Sequence, residues 1–289
     1  MSIYNIDGNM CLSAYALDGS GLSSAYDVDG NLVFSSAPLT IKAMTYNVGG
    51  WYIGSGTNVP ADKKDIYLAL QTGMIEDNDP DILFINEYLA NFCADGTSAL
   101  TILQEYFPYV HTKTNGNYGG RAICSKYPIT NYQERSFNDG TVNYYDSCTI
   151  TIGNRAITAV VTHLNYNASS QDTRLAQTAT LIAYLGTLNT FICGGDFNTI
   201  NCKSTAGSDY TDVILPLLNA GYNCANCSTH GFLETYSDQP DATWTGCLDN
   251  IITSSNIPIT SAHVDTTKLT DDIPDKVDHM PLIATITIN

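Results

Sequence analysis

The feature that most constrains this chain is a set of short apolar runs, each stopping at a polar, chemistry-bearing residue. Residues 41–47 end in Asn47, 81–87 in Glu87, 159–163 in His163 and 190–196 in Asp196. Runs of this kind read as core strands whose last residues emerge at a sheet edge. The sharpest case is Gly195-Asp196-Phe197-Asn198. Strand alternation sends residues i and i+2 to the same side, which points Asp196 and Asn198 into one cleft. There a carboxylate can activate a water while a neighbouring amide orients a substrate oxygen. Taken singly, these residues have plain structural explanations: Asn47 as a turn cap, His163 as a satisfied core histidine, Asp278 as a surface charge. Their joint occurrence carries the functional reading.

Helical spacing fills the gaps. Ile66, Leu70 and Met74 recur with helical period over 61–76 behind Pro60, and further helices are expected over 100–107, 173–188 and 212–220. Additional strands are expected at 122–125, 251–253 and 282–288, with 145–152 and 156–162 paired around Gly153-Asn154. This mixture predicts an α/β (α+β) chain with β-sheets packed face to face and flanked by helices.

Residues 1–36 differ. Tyr4-Asn5-Ile6-Asp7-Gly8, Tyr15-Ala16-Leu17-Asp18-Gly19 and Tyr26-Asp27-Val28-Asp29-Gly30 recur every eleven residues. Each is a short alternating strand followed by a tight-turn dipeptide. One unit cannot bury its own apolar face, so the units must stack on each other, on the main domain or on a partner. They lack the ligand density of a calcium loop. The expected division is an attachment or assembly module over 1–36, serving a homo-oligomer or a larger assembly such as a phage particle, and a catalytic domain over 37–289.

Charged residues make up only 14% of the chain, and the net charge is −17. A broad basic face for nucleic acid is therefore excluded, so a polyanionic substrate must be met locally, with metal or a few cations screening the field. Clustered carboxylates favour a divalent metal. No apolar stretch is long enough to span a bilayer, and no signal-peptide pattern opens the chain. The compartment is left open between cytoplasm and virus particle. The nine cysteines leave at least one unpaired. Cys124, Cys148 and Cys193 lie in strand-like runs and are expected reduced and buried. Cys224 and Cys227 form a C-x-x-C, with Cys202 and Cys247 on either side; a zinc site or a disulfide is open there, but a matching second pair is lacking.

In chain order, Thr45-Tyr46-Asn47, Pro80-Asp81-Ile82-Leu83-Phe84-Ile85-Asn86-Glu87, Gly120-Arg121-Ala122-Ile123-Cys124-Ser125, Thr162-His163-Leu164, Arg174 with Gln177, Gly195-Asp196-Phe197-Asn198, Ala242-Thr243-Trp244, Leu248-Asp249-Asn250-Ile251-Ile252 and Asp278-His279-Met280-Pro281 form a series. That series resembles the endonuclease/exonuclease/phosphatase superfamily, the DNase I-like enzymes, over about residues 40–289. The resemblance implies a four-layered sandwich, two packed mixed sheets with outer helices, and a metal-dependent cleft at one sheet edge.

It also implies roles. Glu87 matches the metal-binding glutamate, supported by Asn47 and with Asp278 near the metal. Mg2+ is the expected ion, with Mn2+ or Ca2+ as alternatives. Asp196 and Asn198 match the pair that handles the attacking water and a phosphate oxygen. His163 and His279 resemble two histidines that stabilise phosphorane-like charge or protonate the leaving oxygen, and Asp249 orients His279. Asn47, Asn198 and Arg121 are the expected substrate contacts, Arg121 as a guanidinium fork on phosphate. The implied reaction is in-line water attack at phosphorus, with DNA the first expected substrate and a DNase-like endonuclease the first expected activity. The alternatives are a phosphatase or sphingomyelinase-like phosphodiesterase, and an inactive binding module. Gly49 replaces an aspartate of some relatives, which favours one metal over two. The acidic partner of His163 is not identifiable by pattern, and neither Asn117 nor Tyr118 is assigned to it.

Overall fold

The computed structural model describes residues 24–26, 32–35, 37–49, 61–89, 98–114, 119–166, 171–236, 246–267 and 278–289. In chain order the elements are β1 (Ser24–Tyr26), β2 (Leu32–Ser35), β3 (Leu39–Asn47), α1 (Ala61–Asn78), β4 (Ile82–Asn86), α2 (Ala99–Tyr106), β5 (Tyr109–Lys113), β6 (Arg121–Ser125), β7 (Ile129–Gln133), β8 (Tyr144–Ile152), β9 (Arg155–His163), α3 (Gln171–Leu185) and β10 (Phe191–Asp196). A π-helical turn (Tyr210–Ile214) then runs into α4 (Leu215–Asn219), followed by β11 (Asn223–Cys224), β12 (Asp249–Thr253), β13 (Ile259–Val264) and β14 (Leu282–Ile288).

Two six-stranded sheets result, ordered β13-β14-β3-β4-β6-β5 and β11-β12-β10-β9-β8-β7. Each holds one parallel pair, β3 with β4 and β9 with β10, among antiparallel neighbours. Alternation along β4 explains the layering. Ile82 and Phe84 enter the core between the sheets, whereas Leu83 and Ile85 join Met74, Leu103 and Phe107 beneath α1 and α2. On the second sheet Ile192 and Ile251 face inward, while Phe191 and Cys193 pack outward with Leu181, Leu185 and Leu217 of α3 and α4. The mixed four-layered sandwich expected from the sequence is what forms.

The rim that carries the site is the last rung of both sheets. Asn47 pairs with Asn86 and Asn86 with Arg121 in one sheet; Tyr144 pairs with His163, His163 with Asp196 and Asp196 with Asp249 in the other. Gly194 and Gly195 permit this closure. A Cβ at Gly194 would lie 2.3 Å from the Phe84 ring of the opposing sheet, and one at Gly195 would lie 1.9 Å from the Thr162 carbonyl oxygen. Asn86 then crosses the gap. Its Nδ2 donates to Tyr144 Oη at 2.8 Å and to the Thr162 carbonyl at 2.9 Å, and its Oδ1 accepts from the Asp196 backbone N at 2.9 Å.

The expected elements are present within a few residues, and four strands are additions. β5, β7 and β13 lie at or next to sheet edges with half-exposed residues, and β11 has two residues. None carries an apolar run long enough to announce itself. The helix expected over 212–220 begins as the π turn, and Pro216 sits in its first α turn. β1 and β2 pair antiparallel on either side of the third Asp-Gly. The first two repeat units, and all of the third except Tyr26, lie outside the described residues. No helix among the described residues is long and apolar enough to cross a membrane.

Replacing Asn86 with Leu strands two buried backbone groups and loosens Tyr144, each group costing about 1–3 kcal/mol. The expected loss is about 3 kcal/mol in urea unfolding; a loss below about 1 kcal/mol would contradict the bridging role.

Candidate active site

Most of the candidate side chains sit where a strand runs out. Asn47, His163 and Asp196 are the last residues of β3, β9 and β10, Asp249 is the first of β12, and Glu87 follows β4. Glu87 and Asn198 both hold left-handed backbone, φ 55° and 52°, an uncommon conformation for residues with a Cβ. It turns the chain sharply at the strand ends and keeps both side chains at the rim.

The centre is Asp196, which is 1% exposed. Its Oδ2 accepts from Asn47 Nδ2 at 2.9 Å and lies 3.7 Å from His163 Nε2 and 3.7 Å from His279 Nε2. Its Oδ1 accepts from the Asn198 backbone N at 2.7 Å. Asn47 Nδ2 also reaches Glu87 Oε1 at 3.2 Å, and Glu87 Oε1 lies 4.0 Å from His163 Nε2. Behind His279, Asp249 Oδ2 contacts Nδ1 at 2.7 Å, fixing the ring so that Nε2 faces Asp196. The Asp249 backbone N donates to Thr235 Oγ1 at 3.0 Å, and the Asp249 carbonyl accepts from Asn226 Nδ2 at 3.0 Å.

The electrostatics follow from burial of several acids together. Burial pushes the Glu87 carboxyl up from 4.5 to about 7; the Asn47 hydrogen bond and His279 oppose this, and Asp278 and Asp196 add to it. Burial likewise raises Asp196, against His279 and with Asp249, and raises Asp278. For His279, burial favours the neutral ring, but the Asp249 carboxylate outweighs it and holds the imidazole well above its ordinary range. The surrounding carboxylates therefore favour the protonated ring.

The donor set fits a hard divalent cation. Glu87 and Asp278 offer carboxylate oxygens, and Asp278 Oδ1 and Asp249 Oδ1 are buried without a hydrogen-bond partner. Among the described residues, Asp196, Asp249 and His279 are a group of potential ligands within 4.8 Å of one another. The 2.7 Å contact between Asp249 and His279 Nδ1 is a hydrogen-bonded pair, which favours Glu87, Asp278 and Asn47 as the cation's holders.

Two predicted residues have partners that redefine them. Arg121 Nε hydrogen-bonds Asp146, its Nη1 donates to the Gly119 carbonyl at 2.9 Å, and its guanidinium lies 4.3 Å from the Tyr144 ring centre. Asp146 is completed by Tyr132 Oη and the Arg135 backbone N, both at 2.6 Å. The Arg121 charge thus joins β6 to β8 within the sandwich. Asn198 Nδ2 donates to the Leu164 carbonyl at 2.8 Å, which ties β10's end to the residue after His163.

Sequence reasoning missed Asn86, Thr235 and Asn226. A signal existed for Asn86, which occupies the same inward phase as Ile82 and Phe84. Asn117, Tyr118 and the Ala242-Thr243-Trp244 element lie outside the described residues. Cys202, Cys224, Cys227 and Cys247 are all buried free thiols in the outer core of the second sheet. Cys227 Sγ donates to the Cys224 carbonyl at 3.1 Å.

Fold and rim together define a metal-dependent phosphoester hydrolase. The chain belongs to the Endonuclease/Exonuclease/phosphatase family, whose model matches residues 44–271. No curated protein sequence matches it. Among solved structures it is similar to TDP2 from Caenorhabditis elegans, with TM-score 0.65 and 14% identity over 86% of this chain and 74% of that one. It is similar to ANGEL2, a 2',3'-cyclic phosphatase, with TM-score 0.65 and 16% identity over 87% and 96% of the two chains. It also resembles the 3' phosphatase NExo from Neisseria bound to product DNA hairpin, with TM-score 0.60 and 16% identity over 84% and 98%. Likeness at these identities is likeness of fold.

A carboxyl whose folded pKa lies above its unfolded value holds its proton more tightly when folded. The stability Glu87 contributes is present below pH 4.5 and is lost as pH rises to about 7, about 3 kcal/mol over that window. In chelator, Glu87→Gln should therefore melt higher than wild type at pH 8 and similarly at pH 4.5. Added Mg2+ should stabilise wild type but not the variant; equal Mg2+ shifts in both would remove Glu87 from the metal site.

Proposed function

We propose that the chain is a Mg2+-dependent phosphodiesterase that cuts nucleic acid, DNA first, within the strand. The observation that supports it most is the Asp249–His279 pair, 2.7 Å apart, aimed at a buried Asp196 that His163 approaches from the other side. Asp196, oriented by Asn47 and by the Asn198 backbone, accepts the proton of the attacking water. His279, cationic through Asp249, faces the charge that grows on the phosphate oxygens and gives a proton to the leaving oxygen. His163 is a second imidazole on the same carboxylate and provides a further donor. Glu87, Asp278 and Asn47 would hold a divalent cation, which would supply positive charge against the phosphate oxygens. Arg121 and Asn198 are read as positioning residues. Nucleic acid as substrate is supported by a neighbour in the fold that binds product DNA. The same cleft would serve a phosphomonoester, as the phosphatases among those neighbours suggest.

Nicking of supercoiled plasmid with Mg2+ tests this, beside RNA, sphingomyelin, inositol phosphates and an aryl phosphate, each repeated with chelator. Asp196→Asn and His279→Ala should each lower nicking about a thousandfold; retention of activity in either would overturn the roles assigned. Asp249→Asn should lower the rate and move the alkaline fall in activity to lower pH, because His279 then loses its proton sooner. An unchanged pH profile would separate Asp249 from the proton on His279.

Residues 1–36 we assign to attachment or assembly. Their deletion should leave turnover intact while changing the oligomeric state or surface attachment; loss of turnover in a folded 37–289 chain would refute two modules.

A further inference from the structure

We propose that Tyr166 is a stacking platform for the nucleobase beside the scissile phosphate, and so a determinant of substrate choice. This rests on the nucleic-acid reading above. Tyr166 is 79% exposed and stands three residues beyond His163. Scattered apolar surface residues are ordinary. This one is held by a clamp. Asn165 N donates to Gln177 Oε1 at 2.8 Å, Arg174 Nη1 donates to the Asn165 carbonyl at 3.3 Å, and Asn165 Nδ2 reaches Asn143 Oδ1 at 3.3 Å. Leu164, one residue back, gives its N–H to the Asp196 carbonyl at 2.9 Å and receives Asn198 Nδ2 at 2.8 Å. The backbone that presents Tyr166 is therefore tied to the catalytic rung on one side and to α3 on the other. An aromatic ring whose stem is tied to the catalytic rung loses little freedom when a planar partner stacks on it.

The apolar character extends beyond the tyrosine. Val142 and Leu175, 51% and 45% exposed, are the chain neighbours of Asn143 and Arg174 in that clamp. Among the described residues the usual cationic grip on nucleic acid is meanwhile thin. The net charge is −17, and Arg121, Arg174, Lys113 and Lys126 are committed to Asp146, Asp209, Glu134 and Asp79. Where phosphate contacts are scarce, stacking on a base is the remaining source of affinity, and it tolerates any base because each has a π face.

The test compares wild type, Tyr166→Ala and Tyr166→Phe on two phosphodiesters of equal charge, a thymidine dinucleotide and its counterpart with abasic tetrahydrofuran units, in Mg2+. Wild type should prefer the base-bearing diester. Tyr166→Ala should raise KM for that diester about tenfold or more with kcat nearly unchanged, leave the abasic diester unaffected, and Tyr166→Phe should behave as wild type. Thermal melting should be the same for all three, since the ring is largely outside the fold. Equal effects of Tyr166→Ala on both diesters, or none on either, would overturn the stacking role. A wild type that cleaves both diesters equally well, or that nicks plasmid but cleaves neither, sinks the stacking alone; one that cleaves neither diester and does not nick plasmid sinks the nucleic-acid reading and the stacking with it.

Discussion

The Asn86 side chain is the interaction on which the rest of this structure depends. Two sheets packed through Ile, Leu and Phe are held by a force without direction, and many small slides would bury nearly the same area. The three hydrogen bonds of Asn86, each 2.8 or 2.9 Å, end on β8, β9 and β10 and admit one alignment. The site needs that alignment because it is assembled from both sides. Asn47 and Glu87 come from one sheet, and His163, Asp196 and Asp249 from the other. The 2.9 Å reach of Asn47 to Asp196 spans the junction, so a shift of about an ångström would cost both orientation and rate.

What that alignment creates is locally unfavourable. Several carboxyls share a buried rim, and the raised positions of Glu87, Asp196 and Asp278 record the cost of ionising them there. Left-handed backbone at Glu87 and Asn198 adds strain at the same rim. Only part is offset internally, by the Asp249–His279 pair and by the shared Asn47 amide. The remainder is the physical reason a divalent cation belongs in the cleft, since it converts mutual repulsion into attraction. A stability optimum and a functional optimum therefore lie at different compositions of this rim.

The fold was legible where single strands carry their own signal. β4 and β10 hold no charged or polar side chain before their polar ends, and β3 and β9 are largely apolar before theirs, so both their existence and their chemical ends could be read. β5, β7, β11 and β13 are edge-proximal or very short, and take their structure from a neighbour's hydrogen bonds, which no local pattern encodes. The site divides in the same way. Positions at strand ends were visible as candidates; apart from the Asp249–His279 pair, which the family resemblance implied, their partners were not, because pairing depends on register between strands far apart in sequence. Arg121 shows this well. Beside two glycines it resembles a phosphate fork, and only the pairing of β6 and β8 through the core brings Asp146 to it. The cysteines are a milder case: the C-x-x-C spacing is real, yet burial among Leu217, Val213 and Ile252 accounts for the thiols as core residues.

The fate of Arg121 bears on how the proposed enzyme meets its substrate. With that guanidinium internal and the chain strongly acidic, the described residues offer little fixed positive charge at the rim to an incoming phosphodiester. Any charge on His279 faces Asp196 and is offset by Asp249 behind it. On the proposed reading, phosphate affinity is then conditional: the acidic rim repels the substrate until a divalent cation has been bound, and attracts it afterwards. Metal occupancy and substrate binding become linked without any conformational change, because the same carboxylates that hold the cation are those whose charge it cancels. Such linkage leaves the organic part of the substrate as the main ground for choosing among phosphoesters. That places the burden of selectivity on the loops around the rim, and on the exposed side chains that the clamp behind His163 presents.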